Sequence, residues 1–213
     1  MHFHILSEDL SGKKALEILV PKIISQGNSF EIHSYKGLGS LPKHLDQKTD
    51  PKVQTLLNKL PMILRALGKT YLHKNACVFV ICDLDRKDLK NFRQELLKTL
   101  NQCHPKPLTR FCVAIEENEA WYLGDIPAIK SAYPHAKDEI LSSYINDSIC
   151  GTWEYLASAT VEGGPQKLIN KGWWAIGEQK FYWAENISPL MRVDQNRSPS
   201  FCYFRDRLRE LSD

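Results

Sequence analysis

The stretch "NACVFVICDLDRKD", residues 75–88, decides the fold. Seven apolar residues, Ala76 to Cys82, run without alternation into Asp83. A strand apolar on both faces belongs in a parallel sheet covered by helices. The run then breaks into Asp83, Leu84 and Asp85, with Arg86 and Lys87 directly behind. Two acids one residue apart at the mouth of a buried strand are either a metal site or a polar strand end followed by a helix cap. In the second case Asp85 caps the next helix, Arg86 and Lys87 are solvated, and Asp88 points to solvent.

Working outward, "RKDLKNFRQELLKTLN" sets Leu89, Phe92, Leu96, Leu97 and Leu100 on one helical face. "RFCVAIEE" reads as another strand closing in acids, and "NEAWYLGDIPAIKSAYP" as a broken helix. Upstream, "HFHILSE" reads as a buried strand ending at Glu8. "DLSGKKALEILVPKII" is a helix capped by Asp9 or Ser11 and interrupted at Pro21. "SFEIHSYKG" alternates as a strand. "PKVQTLLNKLPMILRALG" is a helix starting with Pro51, closing at Gly68 and interrupted at Pro61. Alternation of strand and helix predicts an α/β fold with a mostly parallel sheet flanked by helices. Beyond about Tyr144 the chain turns helix-like, rich in Trp and more basic. The expected organisation is therefore an α/β domain over residues 1–143 and a helical C-terminal extension over 144–213 packed on it.

The 213 residues are enough for a core that needs no staples. A net charge of +3, from 28 basic and 25 acidic residues, is too mild to argue nucleic-acid binding by itself. No segment is apolar over the roughly 18 residues of a membrane helix. "MHFHILSEDL" has no basic start and no cleavage site. The six cysteines include no C-x-x-C pair. Together these predict a reduced, cytoplasmic protein without a membrane segment.

Three acidic clusters share one kind of position. Glu8 ends the first strand, Asp83 and Asp85 end the central one, and Glu116, Glu117 and Glu119 follow the last. In an open parallel sheet ligands bind beyond the carboxyl ends of the strands. Neighbouring strands would bring all three clusters to one edge, where repelling carboxylates are relieved by a divalent cation. Mg²⁺ needs only one to three carboxylates because it keeps several waters.

These motifs resemble the TOPRIM domain, the catalytic module of topoisomerases, bacterial primases, small RNA-maturation nucleases and OLD-type nucleases. "LSEDLSGKKAL" is similar to its first motif through Glu8, with Asp9 where the family usually has glycine. "VFVICDLDRKD" is similar to its second through Asp83 and Asp85. "IEENEAWYLGD" resembles the third acidic element, with Glu119 and Trp121 in the matching positions. "IEENEAW", "DSICGTWEYLA" and "NRSPSFCYF" resemble, more closely, a bacterial TOPRIM-like domain-of-unknown-function family often encoded beside an AAA- or ABC-type ATPase in phage-defence-like loci.

The resemblance implies a Mg²⁺- or Mn²⁺-dependent nuclease, the effector subunit of an ATPase-coupled system. Asp83, Asp85 and Glu119 would hold the ions, with Glu116 assisting ahead of Glu117, and Glu8 would be a ligand or general acid/base. The alternative is a non-catalytic TOPRIM-like module that binds an ATPase partner or nucleic acid. Self-association is left open.

Cations for phosphate are sought in Lys13, Lys14, Arg86, Lys87 and Arg197, each of which also reads as a solvated face. Lys167, Lys171, Arg192, Arg205 and Arg207 are more distant candidates. "NRSPSF" reads either as a phosphate-contacting turn or as a cap with Ser200 at the N-cap. Trp173, Trp174, Tyr182 and Trp183 read first as helix-packing core, and second as a platform for unpaired bases. "SEDLSGKK" lacks the Walker pattern. His2 and His4 share a strand face but read as ordinary strand residues, because no other Cys/His set has zinc spacing.

Overall fold

The computed structural model describes residues 1–42, 52–148 and 151–213. Among these residues the sheet has four strands, β1 (His2–Ser7), β2 (Ser29–Ser34), β3 (Ala76–Asp83) and β4 (Thr109–Ala114), in the order β2-β1-β3-β4. All three pairings are parallel. The fold is therefore α/β, as the alternating pattern predicts. The carboxyl ends of β1, β3 and β4 are adjacent, so the three acidic clusters lie along one edge.

Alternation within β3 divides its buried side chains between two cores. Cys77, Phe79 and Ile81 face a core shared with α1 (Leu10–Leu19), α4 (Glu119–Leu123), α5 (Ile126–Ala132), α7 (Thr152–Thr160), α9 (Trp173–Ile187) and α10 (Pro199–Ser212). Val78, Val80 and Cys82 face a second core, under α2 (Leu56–Thr70) and α3 (Leu89–Asn101). Burial on both faces is why the central strand tolerates no polar residue before Asp83. The helices after residue 144 contribute directly to the first core. Phe79 meets Phe204 edge-on at 6.2 Å, and Trp121 stacks on Phe204 at 5.1 Å.

The structure decides between some local expectations and corrects others. Asp9, rather than Ser11, caps α1, accepting from the Gly12 amide at 2.7 Å. Pro21 sits in a 3₁₀ turn, Val20–Lys22, that ends this helix. Pro51 lies outside the described residues, and α2 begins at Leu56 and carries Pro61 inside it. Gly68 does not close α2, which continues to Thr70. Gly68 is there for space, since a Cβ would come within 1.9 Å of the Pro105 carbonyl oxygen. Asp88, rather than Asp85, caps α3 through the Asn91 amide at 2.8 Å. The cap of α10 is Ser198, not Ser200. Cys77, Cys82, Cys103, Cys112 and Cys202 are free thiols; Cys150 lies outside the described residues. Among the described residues no helix is long and apolar enough to cross a membrane.

Candidate active site: an acidic edge held by one lysine

The edge is built from three strand ends. Glu8 follows β1 directly, and its Oε2 accepts a hydrogen bond from the Asp83 amide at 3.2 Å. This bond fastens the first acidic position to the second across paired strands. Asp83 is the last residue of β3. Its Oδ1 is closed to solvent and has no hydrogen-bond partner. Glu119 opens α4 and is 2% exposed. Glu117, two residues earlier, is half-buried beside it. A Cβ at Gly12 would come within 2.6 Å of Ser7 Oγ and 2.9 Å of Asn118 Nδ2, so α1 sits hard against this edge.

The sequence reading missed the cation at the centre. Lys180 of α9 reaches Glu117 at 3.0 Å and Glu119 at 3.5 Å. Its signal is present in the helix pattern. Lys180 falls at i+4 from Ile176 and i−4 from Ala184, both buried, so it occupies a core-facing position. A lysine there requires buried acids opposite.

The charges shape one another's protonation. Burial pushes the Glu8 carboxyl up from 4.5 to about 7, against the Asp83 amide bond that favours the ionised form. Burial likewise carries Glu119 to about 7, with Lys180 opposing. Asp83 is held well above the usual carboxylate range by burial and then by Glu8. Glu117 is raised by burial and restrained by Lys180. Burial works against the Lys180 ammonium, but Glu119, Glu117 and Asp83 outweigh it and keep the lysine protonated beyond its ordinary range.

These shifts set a pH dependence. In the unfolded chain Glu8 and Glu119 ionise near 4.5, whereas the folded chain keeps their protons to about 7. The folded state therefore binds more protons across that window, and stability falls as pH rises through it. Urea midpoints are expected to drop between about pH 5 and pH 7.5 and then level off. Glu8→Gln should make the drop smaller; an unchanged profile would remove Glu8 from the account.

The other expected site residues fall into place around this group. Asp85 is exposed, takes a left-handed backbone at φ 50, and pairs with Lys87 at 2.9 Å. Its turn is fastened to the end of β4, with the Leu84 and Asp85 amides donating to the Glu116 carbonyl at 2.9 and 3.1 Å. Asp85 thus flanks the group, close enough for its charge to raise Glu8. Glu116 does not join it. Its Oε2 accepts from the Gly151 and Thr152 amides at the start of α7. Of the two neighbouring glutamates, Glu117 is the one that meets Lys180, which reverses the expected ranking.

The expected phosphate-binding cations are mostly engaged elsewhere. Lys13 pairs with Glu17 at 3.7 Å along α1. Lys14 joins α1 to α9 through Glu185 at 3.2 Å and lies over the Phe181 ring. Lys87 holds Asp85 and covers Phe92. Arg86 and Arg197 are exposed. Arg197 lines a groove with Arg192, Asp125 and Tyr144 that includes none of the acidic-edge residues. The "NRSPSF" turn is a structural corner. Asp147 accepts from Ser198 Oγ at 2.8 Å and from the Ser200 amide at 2.7 Å, and Trp121 donates to Ser200 Oγ at 3.1 Å.

The tryptophans divide. Trp183 is fully buried, whereas Trp173 is 86%, Trp174 66% and Tyr182 45% exposed, so the core reading fails for those three. Trp173 lies seven residues before Lys180. That is two turns along α9, about 10 Å, on nearly the same face. Between them Gly177 leaves open space, with nothing within 4 Å of where a Cβ would be.

No curated protein and no solved structure matches this chain. One family profile does, described as a domain of unknown function (DUF4276), and it spans residues 7–209, from the end of β1 almost to the end of α10. The match covers the acidic edge and its lysine together, and the chain belongs to the DUF4276 family.

Proposed function

We propose that the protein is a TOPRIM-like, divalent-metal-dependent nuclease whose chemistry takes place on the acidic edge. Asp83 carries this reading. It is a carboxyl group with one oxygen shut off from solvent and unpartnered, in the field of Glu8, Glu119 and Glu117. Such an oxygen costs several kcal/mol unless a cation or donor meets it. The available donors are all carboxylate oxygens, which suits Mg²⁺ or Mn²⁺ rather than softer ions. Asp83 and Glu119 would hold the ion, with Asp85 joining from the flanking turn. The ion would supply Lewis-acid polarisation of a phosphodiester and an activated water.

The chain's own groups do the rest. Glu8, titrating near 7, is suited to take or return a proton at neutral pH. Lys180 offsets the negative charge that would otherwise repel a phosphate. Trp173 offers a stacking surface two turns along the same helix, which favours an unpaired strand as substrate. Trp173→Ala is expected to weaken binding of a single-stranded oligonucleotide by roughly 1–3 kcal/mol, measured by fluorescence anisotropy. An unchanged affinity removes the tryptophan from the substrate path. The defining test is cleavage of single- and double-stranded DNA and RNA with Mg²⁺ or Mn²⁺, comparing the wild type with Glu8→Gln and Asp83→Asn. Cleavage that survives in both variants would sink the nuclease reading.

Lys180 favours one other reading. A lysine already seated among the acids neutralises them without a metal, as a non-catalytic module that binds an ATPase partner or nucleic acid would need. Calorimetric titration with Mn²⁺ separates the two. The nuclease binds Mn²⁺ in a manner lost with Asp83→Asn, and the binding module does not. If the protein is the effector of an ATPase-coupled system, its cleavage rate should also respond to nucleotide turnover by that partner.

A further inference from the structure

A second group of ligand-type side chains lies at the other end of β1. His2 and His4 project from one face of that strand, and Glu31 stands opposite His4 in the β1–β2 register. One ligand atom from each of the three lies within 4.8 Å of the others. His2 Nε2 is 3.4 Å and His4 Nδ1 2.5 Å from Glu31 Oε1. Bonds of about 2.0–2.1 Å in a tetrahedron put ligands about 3.3 Å apart, so the His2–Glu31 separation already fits and the His4–Glu31 pair must open. We propose that His2, His4 and Glu31 form a transition-metal site that takes a zinc-class divalent ion, separate from the acidic edge.

Three observations support it. The His2 Nδ1 atom bonds Ser29 Oγ at 2.9 Å, which turns Nε2 toward Glu31, the second contact that metal-bound imidazoles ordinarily have. Tyr71 donates to Glu31 Oε1 at 3.1 Å and orients the carboxylate in the same way. His4 is 7% exposed, so one ligand of the three is held inside the fold.

The backbone already fixes the three positions, because paired strands set the spacing. A fourth position is open to solvent, since the His2 side chain is 32% and Glu31 44% exposed. His33, whose Nε2 is 3.5 Å from Glu31 Oε2, is near enough to fill it. On binding, the His4 Nδ1 proton moves to Nε2 and the lone pair is left for the metal. Two imidazoles and a carboxylate suit Zn²⁺ and its neighbours, whereas the all-oxygen edge suits Mg²⁺. The two sites lie about 13 Å apart along β1, from the spacing of His4 and Glu8. The ion would fasten the edge strand β2 to the sheet.

The test uses the full chain without an affinity tag, stripped of metal and titrated with Co²⁺ as a visible probe, followed by Zn²⁺. One equivalent of Co²⁺ should give ligand-field bands that Zn²⁺ displaces, and Zn²⁺ should raise the melting temperature. Glu31→Gln and His2→Asn, both at part-exposed positions that spare the fold, should each weaken binding by at least about tenfold. Asp83→Asn should leave it intact. The proposal is overturned if the wild type shows no stoichiometric Co²⁺ or Zn²⁺ binding, or if the binding seen is unchanged in Glu31→Gln.

Discussion

Asp83→Asn is expected to reduce divalent-metal-dependent cleavage by about 10³-fold, about 4 kcal/mol of transition-state stabilisation, while making the fold more stable at neutral pH. The two effects share one cause. Asp83 ends a strand whose preceding seven residues are fully or almost fully buried, and its Oδ1 is closed to solvent and meets no donor. Ionising it there is opposed by burial and by Glu8. Asparagine keeps the shape and removes the charge, so the folded state is relieved while the ligand is lost. Opposite movement of activity and stability marks a residue retained for function at a cost to the fold. Chemical denaturation and a cleavage assay on the same preparation decide it. If stability falls along with activity, Asp83 is a structural residue and the site must be placed elsewhere.

Lys180→Met should destabilise the protein by roughly 3–5 kcal/mol above pH 7, the cost of leaving buried acids without their cation. Glu117 and Glu119 both lose a contact, and Asp83 loses the one charge that favours its ionised form. The loss should shrink toward pH 5, where these carboxyls take up protons and no longer need a partner. Lys180→Arg should recover most of the stability, because the charge is kept. Mg²⁺ or Mn²⁺ should partly restore Lys180→Met, because an ion at Asp83 and Glu119 supplies the missing charge. If the loss were the same at pH 5 and pH 8, packing of the lysine stem would be the cause and not its charge.

The strand ends were legible in the sequence because they follow from periodicity. Ala76 to Cys82 are apolar on both faces, and that alone puts β3 inside a covered parallel sheet with Asp83 at its mouth. Given four such strands, Glu8, Asp83 and the acids after β4 could be set on one edge without coordinates. The partners of these acids could not. Lys180 arrives from a helix far along the chain, and which acid it meets depends on how α9 lies against α1 and α4. Glu116 and Glu117 are adjacent and chemically alike; one caps α7 and the other binds Lys180, a choice made by the turn after β4. His2 and His4 read as ordinary strand residues, and Glu31 is passed over, for a related reason. The pairing of "HFH" with "EIH" exists only once the register His4↔Glu31 is known. Trp173 and Trp183 sit on one helix, and composition cannot say which of them a neighbouring helix covers.

The distance in sequence between Lys180 and the acids it serves bears on how the protein is made. A ribosome releases Glu8, Asp83, Glu117 and Glu119 before it has added the helix that carries their counterion. Until α9 emerges and docks, the newly formed sheet has a self-repelling rim, and protons or a dissolved divalent ion are its available relief. Completion of the site is therefore tied to completion of the chain. A product released early, with the sheet but without α9, would lack the charge on which the edge depends.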